Sequence, residues 1–277
     1  MKIFKKILIY TLLGIIAIIM IFPFAWMVIN TFNSEESIFE IPPKIIPDKL
    51  FKRDMFDNYI TVLRDYNFSR YTLNSFIVAS LASLGQVFTC SMAGFAFARM
   101  RFRGKNVIFA LLLSTMMIPL QVTIIPEFLL MMRLGWLDTF APLIIPSFLV
   151  GSFGTFMYKE FFENIPRDLE DSATIDGAGP WSMFLRVFFP LSTVQTTTLF
   201  IIAFMNNWND LLRPIIYISS TKLMTVTMAL TQFQSQYGAR WNYLLTGAVL
   251  SILPLLIVYI ALQRFVTEGI TYTGLKG

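Results

Sequence analysis

Six apolar runs punctuate the chain, at residues 7–29, 73–98, 107–126, 140–158, 191 to about 218, and 243–264. A large soluble core would need several amphipathic helices. These runs instead approach the ~20 residues that carry one helix across a bilayer. The pattern predicts an all-α, polytopic membrane protein with six transmembrane helices.

The runs differ in their polar content. Residues 73–98 carry Asn74, Ser75, Ser80, Ser83, Gln86, Thr89 and Ser91, small polar groups that suit a helix buried against other helices. Pro119 interrupts 107–126 and predicts a kink whose freed carbonyl needs a partner, with Gln121 just beyond it. In 140–158, Ser147, Gly151, Gly154 and Thr155 line one face with small residues, and in 243–264 Thr246, Gly247 and Ser251 mark another. The fifth run contains Asn206-Asn207-Trp208-Asn209-Asp210. Counted from Leu191 at about 1.5 Å per residue, Asn206 lies roughly 20 Å along, past the bilayer middle.

Charge sets the orientation. Lys2, Lys5 and Lys6 precede the first run, and Arg99, Arg101, Arg103 and Lys105 follow the second with no acid among them. The positive-inside rule then puts both termini in the cytoplasm. A signal peptide is the competing reading of the first run. The run is too long for that, and Phe22-Pro23-Phe24-Ala25-Trp26 does not resemble a small-residue cleavage site. The interval 30–72 is nearly charge-balanced, as an external loop can be, and Pro42, Pro43 and Pro47 argue against helix in its first half. The chain divides into a first span and external loop (1–72), a core of spans two to six (73–264) with an internal polar stretch at 158–190, and an internal tail (265–277).

Composition narrows the chemistry. Of 277 residues, 56% are hydrophobic and 14% charged, with mean hydropathy +0.64, against about 25% charged in soluble proteins. The net charge of +5 lies mostly at the ends of runs, where it signals topology and not a nucleic-acid face. Histidine is absent, which removes Ser-His and Cys-His dyads and histidine metal sites. Cys90 lies inside an apolar run and packs as a small hydrophobe. No Gly-x-x-x-x-Gly-Lys-Ser/Thr loop exists, so no nucleotide or other cofactor is expected on this chain. If ATP drives it, another chain binds the ATP.

Asp210 is the one ionisable candidate inside a run. A mid-membrane charge costs at least about 2.5 kcal/mol and is normally functional. An ion-coupled carrier would keep several, and an intramembrane enzyme would need facing carboxylates. The 206–210 cluster reads as the wall of a solute pathway, with amides donating and accepting and Trp208 stacking on a flat sugar face. It reads equally as a helix break at the outer interface, completed by Arg213 and Pro214. Spacing leaves both open.

The polar stretch 166–190 is the chain's main departure from its apolar pattern. Pro166 can open a helix, and Asp168, Glu170 and Asp171 load its first turns with negative charge, which suits the helix dipole. Gly177 is a left-handed stop. Pro180 opens a second helix whose Trp181, Phe184, Leu185 and Phe188 fall on one face, and Pro190 leads into the fifth run. Helices lying on headgroups are usually basic. An acidic helix-turn-helix at the inner surface fits a protein socket better.

Asp171-Ser172-Ala173, Gly177 four residues on, and Val187-Phe188-Phe189-Pro190 resemble the EAA loop of bacterial ABC importer permeases. The fuller string Asp176-Gly177-Ala178 with Phe184 and Pro190 is similar to the carbohydrate-uptake branch, on the side of the smaller maltose-type permease. Asn74-Ser75, Ala96-Phe97-Ala98-Arg99 with Phe102-Arg103-Gly104, Ile118-Pro119-Leu120-Gln121 with Pro126, Trp208-Asn209-Asp210 and the ending Gly269 to Lys276-Gly277 follow in the family's order, over about residues 70–277. Asp171 stands for the family's Glu and Ser172 for its first Ala. The resemblance implies a type I ABC importer permease fold. It implies ATPase coupling through Glu170, Asp171, Ser172, Ala173, Asp176, Gly177, Ala178 and Pro190. It also implies a translocation path touching Gln86, Gln121, Asn206, Asn207, Trp208, Asn209 and Asp210. The implied partners are a second permease chain, two cytoplasmic ATPase subunits that use the ATP, an extracytoplasmic solute-binding protein and the lipid bilayer, with no nucleic acid. The stretch 219–242, with Gln232-Phe233 and Tyr237, resembles the loop that reaches the solute-binding protein, and residues 274–277 resemble a tail that contacts the ATPases. A sugar or oligosaccharide is the implied cargo, with a polyol or glycerol phosphate as the alternative.

Overall fold

The computed structural model describes residues 2–44, 46–235 and 238–273. The chain is almost entirely helical. α1 (Lys2–Asn30), α2 (Glu35–Ile38) and α3 (Asp57–Arg64) lead into the long α4 (Phe68–Arg99). α5 (Lys105–Ser114) and α6 (Leu120–Arg133) follow, then α7 (Ala141–Ile144) and α8 (Ser152–Glu163). α9 (Arg167–Ile175), α10 (Pro180–Met183) and α11 (Phe189–Leu191) form the polar stretch. α12 (Thr193–Trp208), α13 (Leu212–Tyr217), α14 (Val226–Thr231) and α15 (Trp241–Thr273) complete the order. A two-residue antiparallel ladder pairs Gln234 with Ala239 and Ser235 with Gly238.

Four helical stretches are long and apolar enough to cross a membrane: Ile3–Asn30, Phe68–Arg99, Ala141–Glu163 and Trp241–Phe265. Two further candidates are bent pairs, Lys105–Met117 with Leu120–Arg133 at 103° and Pro180–Leu191 with Thr193–Trp208 at 78°. The count reaches six when each pair is taken as one span, with two corrections. Pro119 does not kink a continuous helix. It caps the start of α6, after a 3-10 turn and an extended Ile118, because the residue before proline is pushed out of the helical region. In the fourth run the helix breaks at 149–151, so Gly151 caps α8 and Ser147 lies in a separate 3-10 turn. The four small residues therefore do not share one helix face. Residues 265–273, expected as tail, continue α15. The expected ATPase contact at 274–277 lies outside the described residues.

The chain folds as two compact units. Residues 1–72 with 228–253 form the first, and residues 73–227 with 254–277 the second. In the first unit, buried amides knit the polar interval together. Asn30 Nδ2 donates to the Trp26 carbonyl at 2.8 Å, and Asn33 Nδ2 to Asn30 Oδ1 at 3.0 Å. Asn58 Nδ2 donates to the carbonyls of Thr31 (2.7 Å) and Asn33 (3.0 Å), and Asn242 Nδ2 to Asn58 Oδ1 at 3.1 Å. Such networks of buried amides fix a loop that prolines keep from forming long helices. Phe233, expected among the residues reaching outward, is instead 2% exposed and packs edge-on against Tyr66 at 4.9 Å. Tyr237 lies outside the described residues.

Asp48 belongs to the same interval. Burial pushes its carboxyl up, but the hydroxyls of Ser34 and Ser37, the Ser34 amide and Lys52 outweigh burial and hold it below its ordinary 3.8. A depressed folded value means the stabilisation is present above the unfolded value and is lost as pH falls through the folded one. Local opening of residues 33–48, read by hydrogen exchange corrected for intrinsic rates, is expected to increase as pH drops below 3.8. In Asp48→Asn the segment is expected to be open on both sides of that pH.

The second unit has its core where α4, α8, the 180–191 segment and α12 meet. Val87, Cys90, Phe95, Tyr158, Phe162, Met183, Phe184, Phe188 and Leu199 fill it. α4 and α8 approach closely because Gly94 lies against Tyr158 and Lys159, and Gly154 against Cys90. Glycines at such contacts let helix backbones approach closely in a membrane, where apolar burial alone does not drive association.

Candidate functional site

Two groups of residues in the second unit carry the candidate chemistry. The first is the polar stretch. α9 follows Pro166 and ends in a Schellman motif, with the Ala178 amide donating to the Ala173 carbonyl at 2.9 Å and the Gly177 amide to the Thr174 carbonyl at 3.0 Å. Gly177 has φ +80°, the left-handed conformation this motif requires and glycine adopts without steric cost. A Cβ placed there would meet nothing within 4 Å. Asp171, Ser172, Asp176 and Gly177 are exposed, while Ala173 packs against the core and Ala178 is half-buried. Ile175, 86% exposed, and Trp181, 55% exposed, project beside them. A hollow of about 270 Å³ is lined by Ala173, Asp176, Gly177, Ala178, Ser182, Arg186 and Val187.

The second helix of the stretch departs from the expected pattern. α10 widens into a π-turn at Phe184–Phe188. Proline at 190 lacks an amide and its ring crowds the carbonyl four residues back, so a wide turn before it relieves the clash. The extra residue per turn splits the expected face: Phe184 and Phe188 are buried, while Trp181 and Leu185 are exposed. Pro190 thus lies in α11, and the second limb of the bent fifth span starts at Thr193.

The second group is a cavity of about 310 Å³. It gathers Gln86 from α4, Pro142, Ser147 and Gly151 around the α7–α8 break, and Asn206, Asn207, Asp210 and Arg213 at the end of α12 and start of α13. Four of the seven expected path residues therefore meet. Three do not. Trp208 is 1% exposed and stacks on Phe204 at 5.6 Å, because Phe200, Phe204 and Trp208 recur every four residues on the buried side of α12. It cannot offer a stacking face to a solute here. Asn209 points outward with its amide on the Met205 carbonyl at 2.8 Å. Gln121 is exposed in the first turn of α6, beyond the 103° bend. A helix break at 209–211 is present, as the second reading of the cluster expects.

Two residues escaped the sequence reading. Glu127, in α6, has a largely buried carboxylate that faces the Arg213 guanidinium at 3.5 Å, an ionic contact without hydrogen-bond geometry. Asp210 is thus not the only ionisable group within these apolar helices. The signal was Pro119: a proline that caps a new helix carries the helical stretch past Pro126 to Glu127. Arg99, read as a topology signal and as part of the Ala96–Arg99 string but given no role, is the other omission. Its guanidinium is buried against Phe162, Ile165, Glu170 and Phe188.

The family model described as "Binding-protein-dependent transport system inner membrane component" matches residues 90–272, which is most of the chain and nearly all of both groups. The chain belongs to that family. It is therefore a transporter permease of the inner membrane and not a catalytic enzyme.

Relatives of this permease agree. The arabinooligosaccharides transport system permease protein AraQ of Bacillus subtilis is 31% identical over 86% of this chain and 82% of its own. The lactose transport system permease protein LacG of Rhizobium radiobacter is 30% identical over 94% and 93%. The sn-glycerol-3-phosphate transport system permease protein UgpE of Brucella abortus is 30% identical over 95% and 94%. In fold, the permease matches a chain of a bacterial ABC transporter involved in import of the acidic polysaccharide alginate, with TM-score 0.80, 22% identity, and 94% and 96% coverage. The expected ABC importer permease fold is thus borne out.

Proposed function

We propose that this permease forms half of a translocation pathway for a sugar or oligosaccharide in the cytoplasmic membrane. Its other half is a second permease chain. One of two cytoplasmic ATPases docks on residues 158–190, and an extracytoplasmic solute-binding protein delivers the cargo. Both termini face the cytoplasm, as the cations before the first run and after α4 require. The observation that carries the reading is the Schellman-capped α9. It is anchored to the core by one face and presents Asp171, Ile175 and an unobstructed Gly177 on the other. Alternating access is then a rigid-body rocking of the paired permeases, biased by closure of the ATPases.

A neutral sugar is favoured over a phosphorylated solute by the cavity's own charges. Of the charged residues lining it, Asp210 offsets Arg213, and Arg213 also faces Glu127 at 3.5 Å. A phosphate dianion would find no uncompensated cation there. The amides of Gln86, Asn206 and Asn207 can bridge hydroxyls.

Proteoliposomes containing the assembled complex test the reading. ATP-dependent accumulation of a neutral oligosaccharide is expected, with no response to collapse of the ion gradient. Accumulation that follows the ion gradient and needs no ATPase would contradict it. Preferential uptake of glycerol phosphate would contradict only the choice of cargo.

A further inference from the structure

The last residue of α4 sits where four elements meet. The Arg99 side chain, 7% exposed, donates from Nε to the Phe162 carbonyl at 3.1 Å. One terminal nitrogen donates to the same carbonyl at 2.5 Å and to the Ile165 carbonyl. The other terminal nitrogen pairs with Glu170 Oε2 at 3.3 Å. The guanidinium carbon lies 5.1 Å from the Phe188 ring centroid. Each contact belongs to a different piece of the coupling apparatus. Phe162 supplies one of the terminal carbonyls of α8, the negative end of its dipole. Ile165 belongs to the link between α8 and α9, Glu170 to α9, and Phe188 to the π-turn.

We infer that Arg99 is a positioning residue that locks α9 to α4 and α8. Displacement of α9 is thereby carried into the second span and is not absorbed in the link at 164–166. Among the described residues this is the one ion pair that α9 makes. Asp168 and Asp171 are exposed, and Ala173 offers only a methyl to the core. Without the pair, α9 is tethered by that methyl and by its two chain ends. The planar fork of arginine meets two carbonyls and a carboxylate at fixed angles, which a lysine ammonium cannot reproduce. Glu170 therefore faces inward, and the exposed Asp168, Asp171 and Asp176 are the acids left for a docking partner. This assignment deepens the coupling role proposed above and rests on it.

The test measures solute moved per ATP hydrolysed by the reconstituted complex, a ratio that the amount of assembled complex does not alter. Glu170→Gln keeps the side-chain volume and removes the charge, and Arg99→Lys keeps the charge and removes the fork. Both are expected to lower the ratio roughly tenfold, within the usual span of coupling between sites. An unchanged ratio in both would overturn the assignment. Spin labels at Arg101→Cys and Thr174→Cys, both exposed positions, give a second reading on a chain with the pair intact. Their separation is expected to stay fixed through the ATP cycle. Labels that move apart would overturn the lock even if the variants failed to assemble. A native complex that shows no ATP-dependent uptake at all would instead remove the coupling reading itself, a result distinguished by its appearing without any substitution.

Discussion

Replacing Gly177 by aspartate is expected to leave the permease inserted and folded while ATP-dependent uptake falls to background. The residue has φ +80°, a conformation that costs an ordinary L-residue about 1–2 kcal/mol. That strain is local, because a Cβ here would meet nothing within 4 Å and the core lies on the other face of α9. Among the described residues nothing fills the space around Gly177, which leaves it open to the docked partner proposed above. Aspartate adds bulk and a second charge beside Asp176 at the centre of that surface, and a close-packed interface does not absorb an unpaired carboxylate. The measurement pairs membrane extraction and complex capture with uptake in proteoliposomes. Normal uptake by this variant would remove the docking role from the loop.

The largest effect on stability is expected at Gly94. A Cβ there would lie 2.5 Å from Tyr158 Cβ, 3.0 Å from the Lys159 amide nitrogen and 3.2 Å from the Thr155 carbonyl oxygen. Two of these neighbours are backbone atoms of α8, which cannot turn aside as a side chain can. Overpacking a tight site costs typically about 1–3 kcal/mol, and Gly94→Val, with its two further methyls, is expected at or above that range. Thermal unfolding in detergent should fall by many degrees, with loss of monodisperse protein. Gly14→Val is the control. No atom lies within 4 Å of its would-be Cβ, and its unfolding temperature should not change. Equal behaviour of the two variants would contradict the close α4–α8 contact.

The apolar runs and the polar stretch are legible in the sequence because each rests on local chemistry. Hydrophobic length places spans, and Pro166, Gly177 and Pro180 punctuate the stretch by their own backbone preferences. Legibility ends where two local rules meet or where the deciding partner lies far along the chain. Ile118-Pro119 holds the information for a full break, since the pre-proline restriction acts on Ile118 while the proline removes a hydrogen bond; weighing only the second effect predicts a kink. Trp208 takes a polar reading from its amide neighbours, although its four-residue recurrence with Phe200 and Phe204 already puts it on a buried face. The π-turn before Pro190 shifts the register by one residue and divides a face that looks continuous. Arg99 cannot be assigned from sequence, because its hydrogen-bond partners are 63 to 71 residues away and its neighbours are cations that serve topology.

α1 differs from all of this. From Ile3 to Ala25 its residues are exposed, in a stretch with mean hydropathy 2.7. In water such a surface would aggregate, but in lipid it is already solvated, so from Ile3 to Ala25 no packing within this chain dictates which apolar residues it carries. For the chain's own fold the first span is therefore a modular anchor. Its apolar residues are interchangeable as long as length and hydrophobicity are kept, and its insertion is an event separate from the packing that a single methyl at Gly94 can undo.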